Sequence, residues 1–599
     1  QVEIKINNRL GAVTETLLGA FLVMLAAGCD HPATPRAQAD LVLRGGKIIT
    51  VADGVSEVEA LAVTGPWISA LGSNEEIGSW VGPNTQVIEL DGRVATPGFI
   101  DAHGHFLGMG EFQSILDLTI ARSWDEIVAI VEQAVQSAAP GEWIRGRGWH
   151  QEKWDVPLRR SVQGAPVHDS LSAVSPHNPV ILSHAAGSHA AFVNAYALNL
   201  AGVTSATPDP PGGEIVRDER GRPTGLLREK AMRLVEDLRA DAGDTRSFEG
   251  VEALWRHYTQ LAGEVALSHG VTSFHDAASI QDGRNAFVMV DFFRKLEQEG
   301  ALPIRLYAMV RSDSVGELAE RLAGAKAVAA GNDFLTVRSI KLQLDGALGS
   351  HGAWLLEPYE DRPAASGFEL VSGDDLRATA RLAIEHGYQL NTHAIGDRAN
   401  RVILDVYEEA FRAAKPAPGV PSRAPLELRW RIEHAQHVHA DDIPRFSQLG
   451  IIASMQAVHC TSDGPWVPKR LGTARAEATS YRWRDLIEQG VTIANGTDVP
   501  VEKIDPIAGF YALVSRRMNN GETFYPDQVM SRHEALRAST LNGAYAAFEE
   551  NLKGSLEVGK LADIVVLSKD IMTIPEAEIP ATRIDVTILG GKVKYERAQ

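Results

Sequence analysis

The chain has 599 residues, enough for a large core and more than one domain. Its formal net charge of −19 is spread along the chain without an acidic tail. That balance argues against a nucleic-acid surface and against an anionic membrane as a partner of the protein body. Two cysteines, Cys29 and Cys460, are too few for a disulfide framework, and Cys460 reads as a buried thiol.

Lys5 and Arg9 precede an apolar run, Leu17 to Ala27, that ends in Gly28-Cys29. The run is too short to span a bilayer and has the size of a signal-peptide core. "LAAGC" resembles a bacterial lipobox, in which the cysteine is lipidated and becomes the new N-terminus. Residues 1–39 are therefore expected to be a leader and tether, and the mature protein to be a periplasmic lipoprotein anchored through Cys29. The alternative is a non-native leader.

Short β-type runs follow at 41–51, 59–72 and 85–98, and a second group stands at 554–570 and 585–596. These two caps, 40–97 and 554–599, fit one small domain interrupted by the middle of the chain. The middle alternates apolar runs with amphipathic stretches. The runs are Ala95–His103, Val271–Ala277, Ile304–Val310, Val337–Asp345, Tyr388–Ala394, Arg429–Ala435, Ile451–Gln456 and Val491–Asp498. Gly270, Gly387, Gly450 and Gly490 stand where helices end just before a strand. Eight such units predict an α/β protein with a (β/α)₈ TIM barrel over 98–553. The stretch between the first two runs is too long for one connection. It reads as an inserted subdomain at about 112–245, with a capping box at Ser123–Glu126 and a hairpin at 207–226.

In such a barrel the chemistry sits at the carboxyl ends of the strands. The first run ends in His103 and His105, with Asp101 on the same face by the two-residue period of a strand. The fourth carries Lys341, Gln343 and Asp345, the fifth ends at His393, the sixth at His434 and the eighth at Asp498. Imidazole and carboxylate suit zinc with a coordination position left for water. Lysine is an odd neighbour for a cation. Either Lys341 is carboxylated to an anionic carbamate that bridges two ions, or it pairs with Asp345 or Glu433.

"TPGFIDAHGHF", "NTHAIGDRAN", "RIEHAQ", "NGTDVPV" and "GSLEVGKLADIVVLSKD" resemble the amidohydrolase superfamily, from about residue 41 to the end. Within it they are similar to the amidohydrolase-3 branch, the YtcJ-like enzymes that include N-substituted formamide deformylases. The resemblance implies a distorted barrel, a small β-sandwich built from both terminal regions, and one or two Zn²⁺ ions. It places His103, His105 and Asp498 on one metal, His393 and His434 on a second, and carboxylated Lys341 between them. It further implies hydrolysis of a C–N bond in an amide, formamide or carbamate, with Asp498 as proton carrier and His434 near the polarised carbonyl. Ester or lactone hydrolysis and deamination would use the same site, and an inactive substrate-binding lipoprotein is the rival of another class. Trp149, His189, Asn194, Asp345 and His459 are candidate substrate contacts, each with loop packing or capping as its alternative. Asp463 belongs to the same segment as His459, and His275-Asp276 is a candidate support for a ligand. The expected partner is a small molecule, with no nucleic acid; a homodimer is left open.

Overall fold

Eight parallel strands form a nearly closed barrel. They are β1 Phe99–Gly104, β2 Val271–Asp276, β3 Arg305–Val310, β4 Leu335–Gln343, β5 Gln389–Ala394, β6 Arg431–His434, β7 Ile452–Met455 and β8 Ile493–Asn495. The computed structural model describes residues 38–185, 187–242, 248–278, 286–312, 314–324, 333–414 and 427–598. The leader and Cys29 lie outside the described residues. Each predicted run overlaps one barrel strand, because strands buried on both faces write themselves as unbroken apolar stretches. Neighbouring strands pair in order from β1 to β8. The seam is closed just past β8, where Asp498 N donates to His103 O at 2.7 Å and His105 N to Val499 O at 2.8 Å. Gly270, Gly387, Gly450 and Gly490 all take the left-handed conformation expected at helix ends.

The first predicted run divides at Gly98. Val94–Pro97 pairs antiparallel with Ile564–Leu567 in the sandwich, while Phe99–Gly104 enters the barrel. Gly98 N donates to Asp563 O at 2.9 Å at the corner. A continuous apolar run cannot reveal a strand that changes sheets.

Residues from both ends build the sandwich. A four-stranded sheet uses Leu41–Arg44, Ala60–Thr64, Trp67–Gly72 and Gln86–Glu89. A six-stranded sheet joins Lys47–Ile49, Glu57–Val58 and Val94–Pro97 to Ile564–Leu567, Ile584–Leu589 and Lys592–Glu596. Leu43, Ile48, Leu61, Ile564, Val566 and Ile588 are buried in a core shared by the two. Ala39 is already buried, so the tether does not extend to that residue.

Between β1 and β2 stands a separate six-stranded mixed sheet running from Leu116–Asp117 to Pro223–Glu229. It has its own core of Trp124, Ile127, Trp149, Leu182, Phe192 and Leu226. The helix Trp124–Val135 begins as predicted, with Ser123 Oγ accepting from Glu126 N at 3.1 Å. The Glu126 carboxylate accepts from Arg122 N rather than from Ser123 N, so only half of the capping box forms. The predicted hairpin pairs Gly213–Arg217 with Pro223–Glu229. No helix among the described residues is long and apolar enough to cross a membrane.

Candidate metal centre

The carboxyl ends of β1, β4, β5, β6 and β8 bring the predicted residues together. His103 closes β1, and His105 lies one residue before the helix α1, Phe106–Phe112. Asp498 Oδ1 lies 3.1 Å from His105 Nε2 and 3.6 Å from His103 Nε2. Its Oδ2 lies 3.9 Å from His459 Nε2. The His434 ring stands 4.8 Å from that of His103, 4.4 Å from that of His393 and 6.0 Å from that of His459. Lys341 Nζ is 3.3 Å from His103 Nε2. Asp101 does not join them. Its carboxylate accepts from His103 N at 3.2 Å, Thr497 N at 3.1 Å and Thr497 Oγ1 at 2.5 Å, and so ties β1 to the loop after β8.

Burial sets the charge states. It holds His393 and His434 well below the usual imidazole range, and it pulls Lys341 down to about 8 against the attraction of Glu433 and Asp498. Burial opposes ionisation of Asp498, yet the hydrogen bond from His105 and the charges of His103 and His434 hold it well below the carboxylate range. Neutral imidazoles facing an ionised carboxylate are the protonation states that bind a divalent ion. Glu433, also buried, hydrogen-bonds His103 Nδ1. That contact and the charge of His103 outweigh burial and bring Glu433 down to about 2.

The donor set fits a metal. Two groups have ligand atoms in mutual reach: His103, His105 and Asp498, and His434, His459 and Asp498. His393 Nε2, His434 Nδ1 and His459 Nε2 are all buried without a hydrogen-bond partner, which is costly unless a cation satisfies them. Three residues here hold left-handed backbone: His434 at φ 73°, Ala435 at 42° and Asp498 at 58°. Strain at non-glycine residues persists where the surroundings over-determine it, and it gathers at functional sites. His459, expected as a substrate contact, thus falls among the possible ligands. His393 lies outside both groups, its Nε2 3.4 Å from Asp345 Oδ1.

Above the cluster opens a cavity. The insertion supplies one wall through His150, Lys153, His184 and His189, and Trp466, Asp463 and Glu502 face them from the barrel loops. The Nδ1 of His189 is bonded to Glu229 Oε1 at 3.1 Å. Asp345 is buried beneath the site, accepting from Ile395 N at 3.0 Å, Gly396 N at 2.8 Å and Trp354 N at 2.9 Å, and it positions the β5 end rather than a substrate. Two expected contacts are corrected. Trp149 is buried in the insertion core with Nε1 donating to Leu182 O at 2.7 Å. Asn194 caps the helix Ala195–Leu200 and ties down Ser175, Asn178 and Val180. His275 faces Arg431, and Asp276 accepts from Phe106 N at 2.8 Å, fixing the start of α1 beside His105. His150, Lys153 and His184 stand within the segments that carried Trp149 and His189, but nothing in one sequence separated them from their neighbours.

A nearly closed parallel barrel with histidines and an aspartate converging at its carboxyl face defines a metal-dependent hydrolase fold and site. The amidohydrolase family model matches residues 86–595, and the chain belongs to that family. It is 33% identical over 571 residues to the Arabidopsis thaliana protein LONG AFTER FAR-RED 3, covering 93% of this chain and 92% of that one. It is 26% identical over 568 residues to the N-substituted formamide deformylase of Arthrobacter pascens, covering 93% and 98%. The crystal structure of an uncharacterized metal-dependent hydrolase from Pyrococcus horikoshii OT3 superposes with a TM-score of 0.68 at 26% identity, covering 90% of this chain and 99% of that one.

Proposed function

We propose that the protein hydrolyses a C–N bond in an amide, formamide or carbamate, with zinc as its metal. The observation that carries this reading is the gathering of His103, His105 and His459 around the two oxygens of Asp498, with His434 beside them, at the floor of a cavity. A divalent ion held by these donors supplies a Lewis acid and makes water acidic enough to ionise near neutrality. Asp498 takes the proton of the attacking water as its oxygen bonds the carbonyl carbon. When the C–N bond breaks, Asp498 returns that proton to the leaving nitrogen. His189, fixed by Glu229, faces the cavity where it can hold the carbonyl oxygen. Lys341, buried and next to His103, is carboxylated in this reading; its mass should then rise by one CO₂ under non-denaturing conditions, and a free amine excludes the bridge. The deformylase relative supports the C–N class.

The test is a panel of N-formyl and N-acyl amines with matched esters, assayed after chelation and after zinc is restored. Cleavage of the C–N members, lost on chelation and regained with zinc, is expected. Cleavage of esters alone reassigns the bond, and a metal-replete protein inert to both classes supports a binding role. Asp498→Asn should abolish turnover while most of the bound metal remains; full activity in that variant would refute the proton-carrier role.

A further inference from the structure

Cations in and beside the cavity wall are matched by anions, but Arg147 is not. Lys153 bonds Glu502 at 3.1 Å, and Arg470 pairs with Asp361 and, at 3.2 Å, with Glu152. The guanidinium of Arg147 bonds no described residue, and its Nε is shielded from solvent. A guanidinium stays charged under all ordinary conditions, so shielding its Nε without an acceptor is costly, while the side chain as a whole is only half-buried.

The strand Ile144–Trp149 shows where it points. Gly146 faces the insertion core, with Leu118 and Leu182 against it. Side chains alternate along a strand, so Arg145 and Arg147 face the other way, toward the barrel. Arg145 uses that face to pair with Glu111 of α1, the helix that starts just beyond His105. Arg147 lies two residues further along, toward His150 and Lys153 in the cavity wall. Its charge is felt by His184 in the cavity wall and by Asp498 in the metal centre. On the barrel side of the cavity Asp463 and Glu502 share Lys153, which disfavours a second anion there.

We propose that Arg147 binds a carboxylate of the substrate, so that the protein acts on carboxylate-bearing amides of the N-acyl amino acid class. This rests on the C–N hydrolase reading above and names its substrate class. A planar guanidinium meets a carboxylate through two parallel hydrogen bonds, which orients the amide as well as holding it.

The test is calorimetric binding to the full-length, metal-replete protein. The probes are N-acetyl amino acids with apolar side chains and the matched N-acetyl amines that lack the carboxylate. The wild type should bind the carboxylate members at least about tenfold more tightly, as one charge-assisted contact warrants. Arg147→Met should erase that preference without changing affinity for the neutral amides, and Arg147→Lys should keep part of it. Equal affinity for both classes in the wild type, a preference that survives in Arg147→Met, or no binding of any carboxylate probe overturns the proposal. The wild-type comparison stands even if a variant folds poorly. Failure to cleave a bound amide would count against C–N hydrolysis and leave the role of Arg147 intact.

Discussion

His103 is governed by a residue one strand cluster away. Glu433 bonds its Nδ1, and the two are buried together. A carboxylate on Nδ1 fixes the tautomer and aims the Nε2 lone pair, here toward Lys341 and Asp498. The sequence raised Glu433 only as a partner for Lys341. It precedes His434 directly, and neighbours on a strand face opposite ways. The left-handed turn at His434 and Ala435 ends that alternation, so both Glu433 and His434 contribute to one site. Glu433→Gln should leave the fold intact and weaken metal binding by roughly 10–100-fold. Competition with a chromophoric chelator measures it; an unchanged affinity would make Glu433 a packing residue only.

At the scale of elements, the sequence was most legible where burial is two-sided. The eight barrel strands and the residues at their ends follow from unbroken apolar runs and their final positions. It was least legible where the backbone departs from its period. Arg147 and Trp149 should share a face, but the register of their strand shifts between them, with Gly148 at φ 104°. Trp149 therefore turns into the core, and Arg147 remains on the barrel side. The loop after β8 makes a further demand. A Cβ on Gly496 would stand 2.7 Å from His103 O and 2.9 Å from Asp101 Oδ1. Gly496→Ala should push the loop off β1, cost about 1–3 kcal/mol by overpacking, and lower both metal content and turnover by separating Asp498 from His103 and His105. Gly490→Ala, left-handed but with nothing within 4 Å of the added carbon, is the control: it should lose about 1 kcal/mol or somewhat more and keep its activity. Equal effects of the two on turnover would mean that close packing at Gly496 does not position the aspartate.

Across the whole molecule the barrel has two unlike ends. Its carboxyl face meets the insertion and holds the chemistry; its other face is bound to the sandwich. A buried ion pair lies at that second contact. Arg305, the first residue of β3, donates from Nε to Asp563 Oδ2 at 2.7 Å and from Nη2 to Oδ1 at 3.0 Å, with both side chains buried. Asp563 also accepts from Gly590 N at 2.8 Å, and its backbone carbonyl accepts from Gly98 N at the corner where the chain leaves the sandwich for the barrel. Removing either charge strands the other in a dry interface, at a cost of about 3–5 kcal/mol, whereas replacing both with apolar groups costs far less. Arg305→Met and Asp563→Leu should each lower the temperature of the first thermal transition and open the sandwich to protease, and the double variant should recover part of both losses. In a chain of this size the transitions need not be two-state, so proteolysis and heat must agree before the loss is assigned to this joint. Below that transition, kcat should stay at the wild-type value in all three, because the joint and the metal centre lie at opposite ends of the barrel. A fall in kcat without loss of the joint would show that the sandwich face is coupled to the metal centre through the strands themselves.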